Sequence, residues 1–572
     1  MIAASPGPVQ NQGRRLSDRN YFDRWDLVAI LGLTAVAFVI RFFSPILPNF
    51  IVPGNSGAAV TDCVTSTPID AQGDLGTLCG LAYPFNKGYK DANGQLSPPN
   101  GQVFDEIYFP VDAYDDFKGV QKCSPANGLL GTPTACPYDY IDPEPPLAKE
   151  FIALGEWSYG WYRAHFNGAA GDYIDLGNNT FGWRIAGCIF GTLCIPMMYL
   201  LARRLWPNRL FAIAAATLVC FDGMFFVQSR IGMIDIFPIF FILVAYFLFL
   251  VHIQSRSFNA SMISLVALGV ILGIGIASKW IVLAAWVSIC FWLVARIVLR
   301  SLNFDFGPRG WPFVSWRRHE GPVIARTFWP TYLVVAVIAL VVIPAGIYLV
   351  SWYPFFARGQ FHTFQDLVSY TQWSFDYHHT LTATHPYGSR PWSWPFLMRP
   401  VLYYAQYDGL GTDAFTGEAL WARISNMGNP WIWWTSLPAV AALPYYVIRQ
   451  RSFAAAVILL GFITQYAPWF LISRVLFMYH MFGGLIFMVL ALAFVLVQLA
   501  QKVPRPSREL LVAAHLAVAV AAFGYFYPVW TAVPISQSAW FEGPHTPIWG
   551  PKMWLVNCQG DPALVNQIFC WN

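Results

Sequence analysis

Long apolar stretches are the feature that most constrains the fold of this chain. A run of about 18 or more apolar residues can cross the ~30 Å hydrocarbon core of a bilayer as a helix. Such stretches occur near residues 27–43, 182–202, 210–227, 234–253, 261–278, 280–299, 328–350, 434–448, 452–471, 475–499 and 509–527. The run at 434–448 is the weakest, because it is short and contains Pro438 and Pro444. The sequence therefore predicts an all-α polytopic membrane protein with about 11 transmembrane helices.

Composition excludes an ordinary soluble domain. Of the 572 residues, 56% are hydrophobic and 12% are charged, whereas charged residues make up roughly 25% of a soluble domain. The net charge of +4 is small. Membrane topology already explains the arginines, so no nucleic acid is expected as a partner.

The basic residues predict the orientation of the chain. If the amino terminus is cytoplasmic, one side of the membrane receives Arg14, Arg15, Arg19, Arg24, Arg203, Arg204, Arg209, Arg256, Arg300, Arg309, Arg317, Arg318, Arg326, Arg449, Arg451, Lys502, Arg505 and Arg508. Cytoplasmic loops carry such an excess. The predicted parts are a cytoplasmic segment (1–25), an N-terminal transmembrane region (26–350) with an extracytoplasmic loop (44–181), a second extracytoplasmic loop (351–433), a four-span region (434–527) and an extracytoplasmic tail (528–572).

Six cysteines lie outside the membrane in this topology: Cys63, Cys79, Cys123, Cys136, Cys558 and Cys570. An oxidising exterior would allow three disulfides. Cys558 and Cys570 are the favoured local pair, and the pairing of the other four stays open. Zinc binding is the alternative, but neither a Cys-x-x-Cys spacing nor a histidine cluster accompanies these cysteines.

Two adjacent carboxylates, Asp105 and Glu106, stand in the first outer loop. A carboxylate held just outside the bilayer stays ionised beside a lipid-borne substrate, as a general base requires. Solvated surface is the alternative interpretation of such a pair. Further along the loop, Pro145 and Pro146 set a rigid turn, and a helix lying along the membrane surface is predicted from Leu147.

Several ionisable residues lie at predicted span boundaries on the same side, namely Arg184, Arg230, Asp235 and Lys279. Charges at membrane depth are unfavourable unless they are paired or functional. Structural pairing, for example of Arg230 with Asp235, is the alternative for any one of them. As a group, cations beneath an outward-facing carboxylate favour a pocket for a lipid-linked phosphate.

An ordered set of motifs resembles the protein O-mannosyltransferases over residues 26–572. In the first half these are Asp105-Glu106, Pro145-Pro146-Leu147-Ala148-Lys149, Arg184-Ile185-Ala186-Gly187, Gln228-Ser229-Arg230 with Asp235, and Gly275-Ile276-Ala277-Ser278-Lys279-Trp280. In the second half they are Tyr377-His378, His385-Pro386-Tyr387, Ser389-Arg390-Pro391-Trp392-Ser393-Trp394-Pro395, Gly428-Asn429-Pro430, Pro468-Trp469, Arg474 and Phe477-Met478-Tyr479-His480. Their order is more specific than any single motif.

The resemblance implies an integral membrane glycosyltransferase of the GT-C fold with two large extracytoplasmic loops. Such an enzyme moves mannose from a polyprenyl phosphate to Ser or Thr hydroxyls of exported polypeptides, with inversion at the anomeric carbon. Asp105 would be the general base, and Glu106 would position the acceptor or the sugar. We expect no cofactor beyond the lipid-linked donor and no metal. Coupling to the secretion machinery is a further expectation.

The resemblance also suggests residues around the base. Arg230, Lys279 and Arg184 are candidates for the lipid phosphate, and His385, Tyr387 and Arg390 for a loop that closes the pocket. Glu144 occupies a position where family members often carry histidine, which adds a third carboxylate. The loop at 351–433 leaves no room for the β-trefoil domain that eukaryotic members insert there, so a prokaryotic enzyme of the plasma membrane is expected.

Two other functions remain as alternatives. A related GT-C enzyme could transfer a pentose or hexose from a polyprenyl phosphate to a glycan or a lipid. A membrane transporter is the more remote alternative. Transporters often show paired halves with rather short loops, whereas this sequence has two long outer loops and no internal repeat.

Overall fold

The structure is a computed structural model, largely α-helical over the residues it describes. These are residues 22–42, 89–90, 96–97, 104–119, 143–178, 180–255, 257–301, 322–381, 385, 387–407, 410–540, 552, 556–557 and 570–571. The predicted disulfide pairing cannot be compared with the structure, because Cys63, Cys79, Cys123, Cys136 and Cys558 lie outside the described residues.

The helices within the described ranges are α1 (Arg24–Phe42), α2 (Phe109–Lys118), α3 (Leu147–Phe166), α4 (Tyr173–Gly177), α5 (Thr180–Leu205), α6 (Arg209–Cys220), α7 (Gly223–Gln228), α8 (Ile236–Gln254), α9 (Phe258–Ser278), α10 (Val282–Ser301), α11 (Pro322–Val337), α12 (Ile343–Ser351), α13 (Tyr353–Ala357), α14 (Phe364–Thr380), α15 (Pro430–Gln450), α16 (Phe453–Tyr466), α17 (Phe482–Ala500), α18 (Ser507–Thr531) and α19 (Gln537–Trp540). A π-helical turn at Ile338–Val342 joins α11 to α12. Short 3-10 turns cover Phe104–Ile107, Pro391–Phe396, Ala467–Leu471 and Met478–Met481.

Eight segments among the described residues are long and apolar enough to cross a membrane. They are Arg24–Phe42, Phe181–Leu205, Ile236–Gln254, Phe258–Ser278, Pro330–Ala357, Phe453–Leu471, Met478–Ala500 and Ser507–Thr531. The three other predicted stretches fall on the shorter apolar helices Arg209–Cys220 and Val282–Ala295 and on α15. The all-α polytopic membrane fold is confirmed, and the number of eleven crossings stays a prediction.

The stretch predicted at 210–227 is two helices, α6 and α7, because a polar residue interrupts it. The Asp222 carboxylate accepts hydrogen bonds from the backbone N–H groups of Met224 and Phe225 at 3.0 and 3.1 Å, which caps α7. It also accepts a bond from the indole N–H of Trp433, at 2.9 Å. One buried carboxylate thus ends the apolar run and connects this turn to the start of α15.

Charged groups join α1, α5 and α6 at one end of the bundle. Asp26, buried in the first turn of α1, accepts hydrogen bonds from the Tyr199 hydroxyl at 2.7 Å and from Arg203 Nε at 3.0 Å. Arg209 Nε lies 3.4 Å from the same carboxylate. The arginines of this cluster are among those that the sequence assigns to the cytoplasmic side, and this orientation stays a prediction.

Replacing Asp26 with alanine should destabilise the protein by about 3 kcal/mol or more, because two arginines would lose a buried carboxylate partner. The measurement is the thermal unfolding midpoint in detergent. Asp23→Asn is the matched control, since Asp23 pairs with Arg209 but its side chain is 37% exposed. Equal midpoints for both variants would contradict the prediction.

Short strands form three small sheets among the described residues. Strands β1 (Tyr89–Lys90) and β2 (Leu96–Ser97) pair antiparallel, as do β3 (Val401–Gln406) and β4 (Leu420–Asn426), while β6 (Val556–Asn557) and β7 (Cys570–Trp571) pair parallel. Strand β5 (Ile535–Ser536) completes the three-stranded sheet β3-β4-β5. In β3 and β4, Val401 faces Asn426 across the pair. The three-stranded sheet joins the predicted second extracytoplasmic loop (351–433) to the predicted extracytoplasmic tail (528–572).

The helix predicted from Leu147 is present as α3. Its buried face includes Ile152 and Glu156, whereas Trp157, Trp161 and Phe166 are 38%, 40% and 68% exposed. Exposed tryptophan and phenylalanine on one helix are typical of membrane–water interfaces. The predicted start of the helix is confirmed, and its position along the membrane surface stays a prediction.

Candidate active site

The two adjacent carboxylates lie on a tight turn that aromatic rings hold in place. Phe104 has a left-handed φ of 51°, which is unfavourable for a residue with a Cβ. Its ring stacks on Tyr403 with centroids 4.4 Å apart and meets Tyr479 edge-on at 6.1 Å. Tyr403 belongs to β3, so residues far apart in the chain fix the turn that carries Asp105 and Glu106.

Glu106 is fully buried and is surrounded by hydrogen-bond donors. Arg184 donates from Nε at 2.6 Å and from Nη2 at 2.5 Å, a bidentate ion pair. The Gly232 amide donates at 2.6 Å and the Trp183 indole at 3.3 Å. Glu106 therefore ties the turn to α5 and to the connection before α8.

Asp105 is in a different environment from its neighbour. It is partly buried, and among the described residues its carboxylate accepts no hydrogen bond. Burial raises the pKa of Asp105 to about 7, and the negative charges of Asp235 and Glu144 contribute in the same direction. Lys279 is close enough to offset part of this rise in pKa. A carboxylate with a pKa near neutrality and no hydrogen-bond donor is suited to accept a proton.

An ammonium group and two further carboxylates lie beside Asp105. Lys279, the residue after the end of α9, donates to Asp235 Oδ1 at 2.8 Å. Its Nζ is 3.7 Å from Glu144 Oε1. The Lys279 side chain is 15% exposed, so a bound molecule could still reach its ammonium group. Asp235 therefore pairs with Lys279, whereas the pairing considered in the sequence analysis was with Arg230.

Glu144 is held in the site by α14. The Tyr370 hydroxyl donates to the Glu144 carbonyl at 3.3 Å, and His378 Nε2 lies 3.1 Å from the Pro143 carbonyl. His378 Nε2 is also 3.9 Å from Glu144 Oε1. Burial lowers the pKa of His378, which favours the neutral imidazole. Glu144 is the third carboxylate that the sequence adds to the site, and the structure brings it to the Lys279 ammonium.

The three predicted phosphate-binding cations do not gather at one point. Lys279 lies beside Asp105, and Arg184 pairs with Glu106. Arg230 is 5% exposed, donates from Nε to the Arg41 carbonyl at 3.2 Å and stacks on a phenylalanine ring. Lys279 is thus the predicted cation that the structure brings closest to the candidate base, while Arg184 and Arg230 lie deeper.

The predicted closing loop contacts the site through a second segment. His385 Nδ1 accepts a hydrogen bond from the Tyr387 amide at 3.1 Å, and the His385 ring meets Phe477 edge-on at 5.1 Å. His385 and Arg390 are exposed. Phe477 in turn meets Phe104 edge-on at 6.4 Å. The loop therefore lies one aromatic layer away from the turn of Asp105.

Sequence reasoning gave no role to two residues that border this site, Arg474 and Tyr479. Tyr479 interacts electrostatically with Asp105 and with Arg474. For Arg474 the sequence did offer a signal, because this charged residue lies between two apolar stretches. Charged residues are uncommon at the boundaries of spans unless they have a function. Among the described cysteines, four have free thiols and lie within helices: Cys188, Cys194, Cys220 and Cys290.

Comparison with known proteins gives matches to two models of one protein family. Residues 138–357 match the model described as dolichyl-phosphate-mannose-protein mannosyltransferase. Residues 363–549 match the C-terminal four-transmembrane region of protein O-mannosyltransferase. These two ranges include α3 to α18 and the sheet residues between them.

Similar proteins include the polyprenol-phosphate-mannose–protein mannosyltransferase of Mycolicibacterium smegmatis, which is 25% identical over 502 residues. That match covers 79% of this chain and 87% of the relative. The protein of the same name from Mycobacterium tuberculosis is 26% identical over 511 residues, covering 80% and 88%.

A solved structure with the same fold is the Saccharomyces cerevisiae protein O-mannosyltransferase Pmt1-Pmt2 complex bound to the sugar donor. The TM-score is 0.60 at 14% identity, and the match covers 91% of this chain and 98% of that chain. The GT-C glycosyltransferase fold expected from the sequence is confirmed. With both family models matched in adjoining parts of the sequence, the chain belongs to the protein O-mannosyltransferase family.

Proposed function

We propose that this protein transfers mannose from a polyprenyl-phosphate-mannose donor to Ser or Thr hydroxyls of polypeptides. Membership of the family and the names of its mycobacterial relatives support the reaction. The observation that carries the mechanism is the Asp105 carboxylate, whose pKa of about 7 and lack of a described hydrogen-bond donor suit a base.

In the proposed reaction, Asp105 accepts the proton of the acceptor hydroxyl while the hydroxyl oxygen attacks the anomeric carbon of mannose. A new carbon–oxygen bond forms, and the bond from the anomeric carbon to the phosphate oxygen breaks. The bonding electrons leave with the polyprenyl phosphate. Because attack and departure take place on opposite faces, the configuration at the anomeric carbon inverts.

The other side chains support this step by position and charge. The leaving phosphate is an anion that needs cationic stabilisation more than protonation. Lys279 is our candidate for that role, since it borders the pocket next to Asp105. Glu106 acts through Arg184 and Gly232 by fixing the turn, and it is a positioning residue in this proposal. The reaction uses no metal.

The setting of the reaction is also a proposal. The chain is a multi-pass membrane protein, and we place it in a plasma membrane with its amino terminus in the cytoplasm. The arginine cluster around Asp26 supports this orientation. The carboxyl terminus and the candidate active site then face outward, where a polypeptide delivered by the secretion machinery would meet them.

The pH dependence of transfer should report the Asp105 carboxylate. Because only the deprotonated carboxylate accepts a proton, activity should be half-maximal near pH 7 and fall about tenfold per pH unit below it. Glu144→Gln removes a negative charge near Asp105, which lowers the pKa of Asp105 and shifts the acidic limb to lower pH. The measurement is kcat/KM against pH for both proteins. An unshifted limb in the variant would contradict the electrostatic account.

The acceptor class is tested by an assay with matched acceptors. Purified protein receives radiolabelled polyprenyl-phosphate-mannose together with a Ser/Thr-rich peptide, the same peptide with alanine at every Ser and Thr, or a glycan. We expect label in the first peptide and none in the second. Transfer to the glycan in place of the peptide would support the related glycan-modifying activity and exclude our proposal.

A further inference from the structure

Strand β3 contains a β-bulge next to the turn that carries the candidate base. The register shifts between Leu402 and Tyr404, which face consecutive residues of β4, so Tyr403 is the extra residue of the pair. A bulge bends its strand and can give a side chain a new direction, and bulges are over-represented next to active sites. Tyr403 is the residue that this irregularity redirects.

The ring of Tyr403 lies against the residue that precedes Asp105. It stacks on Phe104 with centroids 4.4 Å apart and an angle of 10° between the ring planes. Tyr403 is only 5% exposed, so the stack is closed to water. Phe104 has a left-handed φ of 51°, a conformation that persists only where the surrounding structure fixes it. The Tyr403 ring provides a surface that does so.

Two side-chain amides hold the Tyr403 hydroxyl. Gln228 Nε2 donates to the phenol oxygen at 3.0 Å, and Asn426 Nδ2 donates to it at 2.6 Å. Both amide side chains are fully buried. Gln228 is the last residue of α7 and Asn426 is the last residue of β4. The phenol is therefore attached to two separate elements at its hydroxyl and to the turn at its ring.

The two elements that carry these amides are also joined to each other. The Asp222 carboxylate, which caps the start of α7, accepts a hydrogen bond at 3.1 Å from the backbone N–H of Asn429, just after β4. At the other end of α7, Gln228 and Asn426 meet on the same phenol. Hydrogen bonds among buried groups are stronger than those in water. The frame that holds the phenol is therefore stiff.

We propose that Tyr403 is a positioning residue for mannosyl transfer, because it holds the turn that carries Asp105. The hydrogen bonds from Gln228 and Asn426 fix the phenol, and the stacked rings pass this constraint to the turn. A general base acts only within hydrogen-bond reach of the proton that it accepts, and a displacement of about 1 Å costs roughly a hundredfold in rate. This inference rests on the proposed function.

The first test is the transfer rate of full-length variants. Tyr403→Leu removes the ring and the hydroxyl and should lower kcat by about a hundredfold, whereas Tyr403→Phe keeps the ring and should lower it by about tenfold. The donor KM should change by less than about twofold, since the turn supplies the base. Tyr445→Phe is the matched control, because Tyr445 is 56% exposed on α15. An unchanged kcat in Tyr403→Leu would overturn the inference.

The pH profile separates positioning from a purely structural role. If the turn loosens in Tyr403→Phe, water reaches the Asp105 carboxylate more readily and its pKa falls. The acidic limb of kcat/KM should then move to a lower pH than in the wild type. A lower unfolding midpoint alone leaves that limb in place for the protein that stays folded. A lower midpoint with an unshifted limb would therefore overturn the inference.

A double-mutant cycle tests whether the amides act through the phenol. The kcat losses of Tyr403→Phe and Gln228→Met should not multiply when the changes are combined, because both remove the same hydrogen bond. Gln365→Met is the matched control, since Gln365 is exposed on α14. Added to Tyr403→Phe, it should cause no further loss. Losses that multiply for Tyr403 and Gln228 would contradict their coupling.

Amide hydrogen exchange tests the inference without the transfer reaction. The Tyr108 N–H donates to the Asp105 carbonyl at 2.9 Å, so its exchange rate reports opening of the turn. This rate should rise by about tenfold in folded Tyr403→Phe, as expected when lost hydrogen bonds weaken the turn, and stay unchanged in Tyr445→Phe. If the wild type transfers no mannose but this exchange responds, the positioning stands and the proposed function fails. Transfer without a response in exchange would overturn the inference and leave the proposed function intact.

Discussion

Replacing Asp105 with asparagine should lower the rate of mannose transfer by roughly a hundredfold or more, the usual size of a general-base contribution. Asparagine keeps the shape of the side chain but cannot take a proton. Because the Asp105 carboxylate accepts no hydrogen bond among the described residues, the fold should not change. The measurement is kcat for label transfer to a Ser/Thr peptide, with donor binding measured in parallel.

The matched control for this variant is Asp172→Asn. Asp172 lies in the same predicted outer loop, its side chain is 75% exposed, and it pairs with Lys118. This variant should keep nearly full activity, since an exposed ion pair contributes little. Transfer at the wild-type rate by Asp105→Asn would remove the assignment of the base and leave the transfer reaction in place.

The second large effect is expected from Glu106. Glu106→Gln leaves the buried Arg184 guanidinium without a carboxylate, which should destabilise the protein by about 3–5 kcal/mol. Activity should fall as well, because the turn that carries Asp105 would no longer be fixed. The measurement is the thermal unfolding midpoint in detergent, together with the transfer rate at a temperature where the variant is folded.

A double-mutant cycle separates this ion pair from general damage. If the two side chains interact directly, Glu106→Gln combined with Arg184→Met should destabilise by less than the sum of the single changes. Glu509→Gln, which breaks the exposed pair with Arg505, is the control and should leave the midpoint unchanged. Additive effects of the two buried substitutions would contradict a direct pair.

Most of the membrane fold could be predicted from hydropathy. Apolar runs of sufficient length have few alternatives to a helix in a bilayer, because every backbone polar group must be paired internally. The boundary that sequence reasoning missed lies at Asp222, where one run becomes two helices. That break depends on the side chain of Asp222 accepting backbone N–H groups and on Trp433, more than 200 residues away. A hydropathy profile carries no information about a contact between residues so far apart in the chain.

The candidate site was predicted in outline, and only the family resemblance divided the roles of its two carboxylates. Residue type and position alone do not distinguish Asp105 from Glu106, since both are acidic residues in the same outer loop. Their difference arises from the 3-10 turn, which buries Glu106 against Arg184 and leaves Asp105 beside Lys279. Partners that are 78 residues apart, as Glu106 and Arg184 are, become visible only when the helices are packed.

The central claim is that Asp105 activates a Ser or Thr hydroxyl for an inverting transfer of mannose. Its most direct test is the reaction of purified protein with polyprenyl-phosphate-mannose of known anomeric configuration and a Ser/Thr-rich peptide, followed by NMR of the product. We predict a mannosylated peptide with the opposite configuration at the anomeric carbon. Retained configuration, or no product from folded protein, would contradict the account.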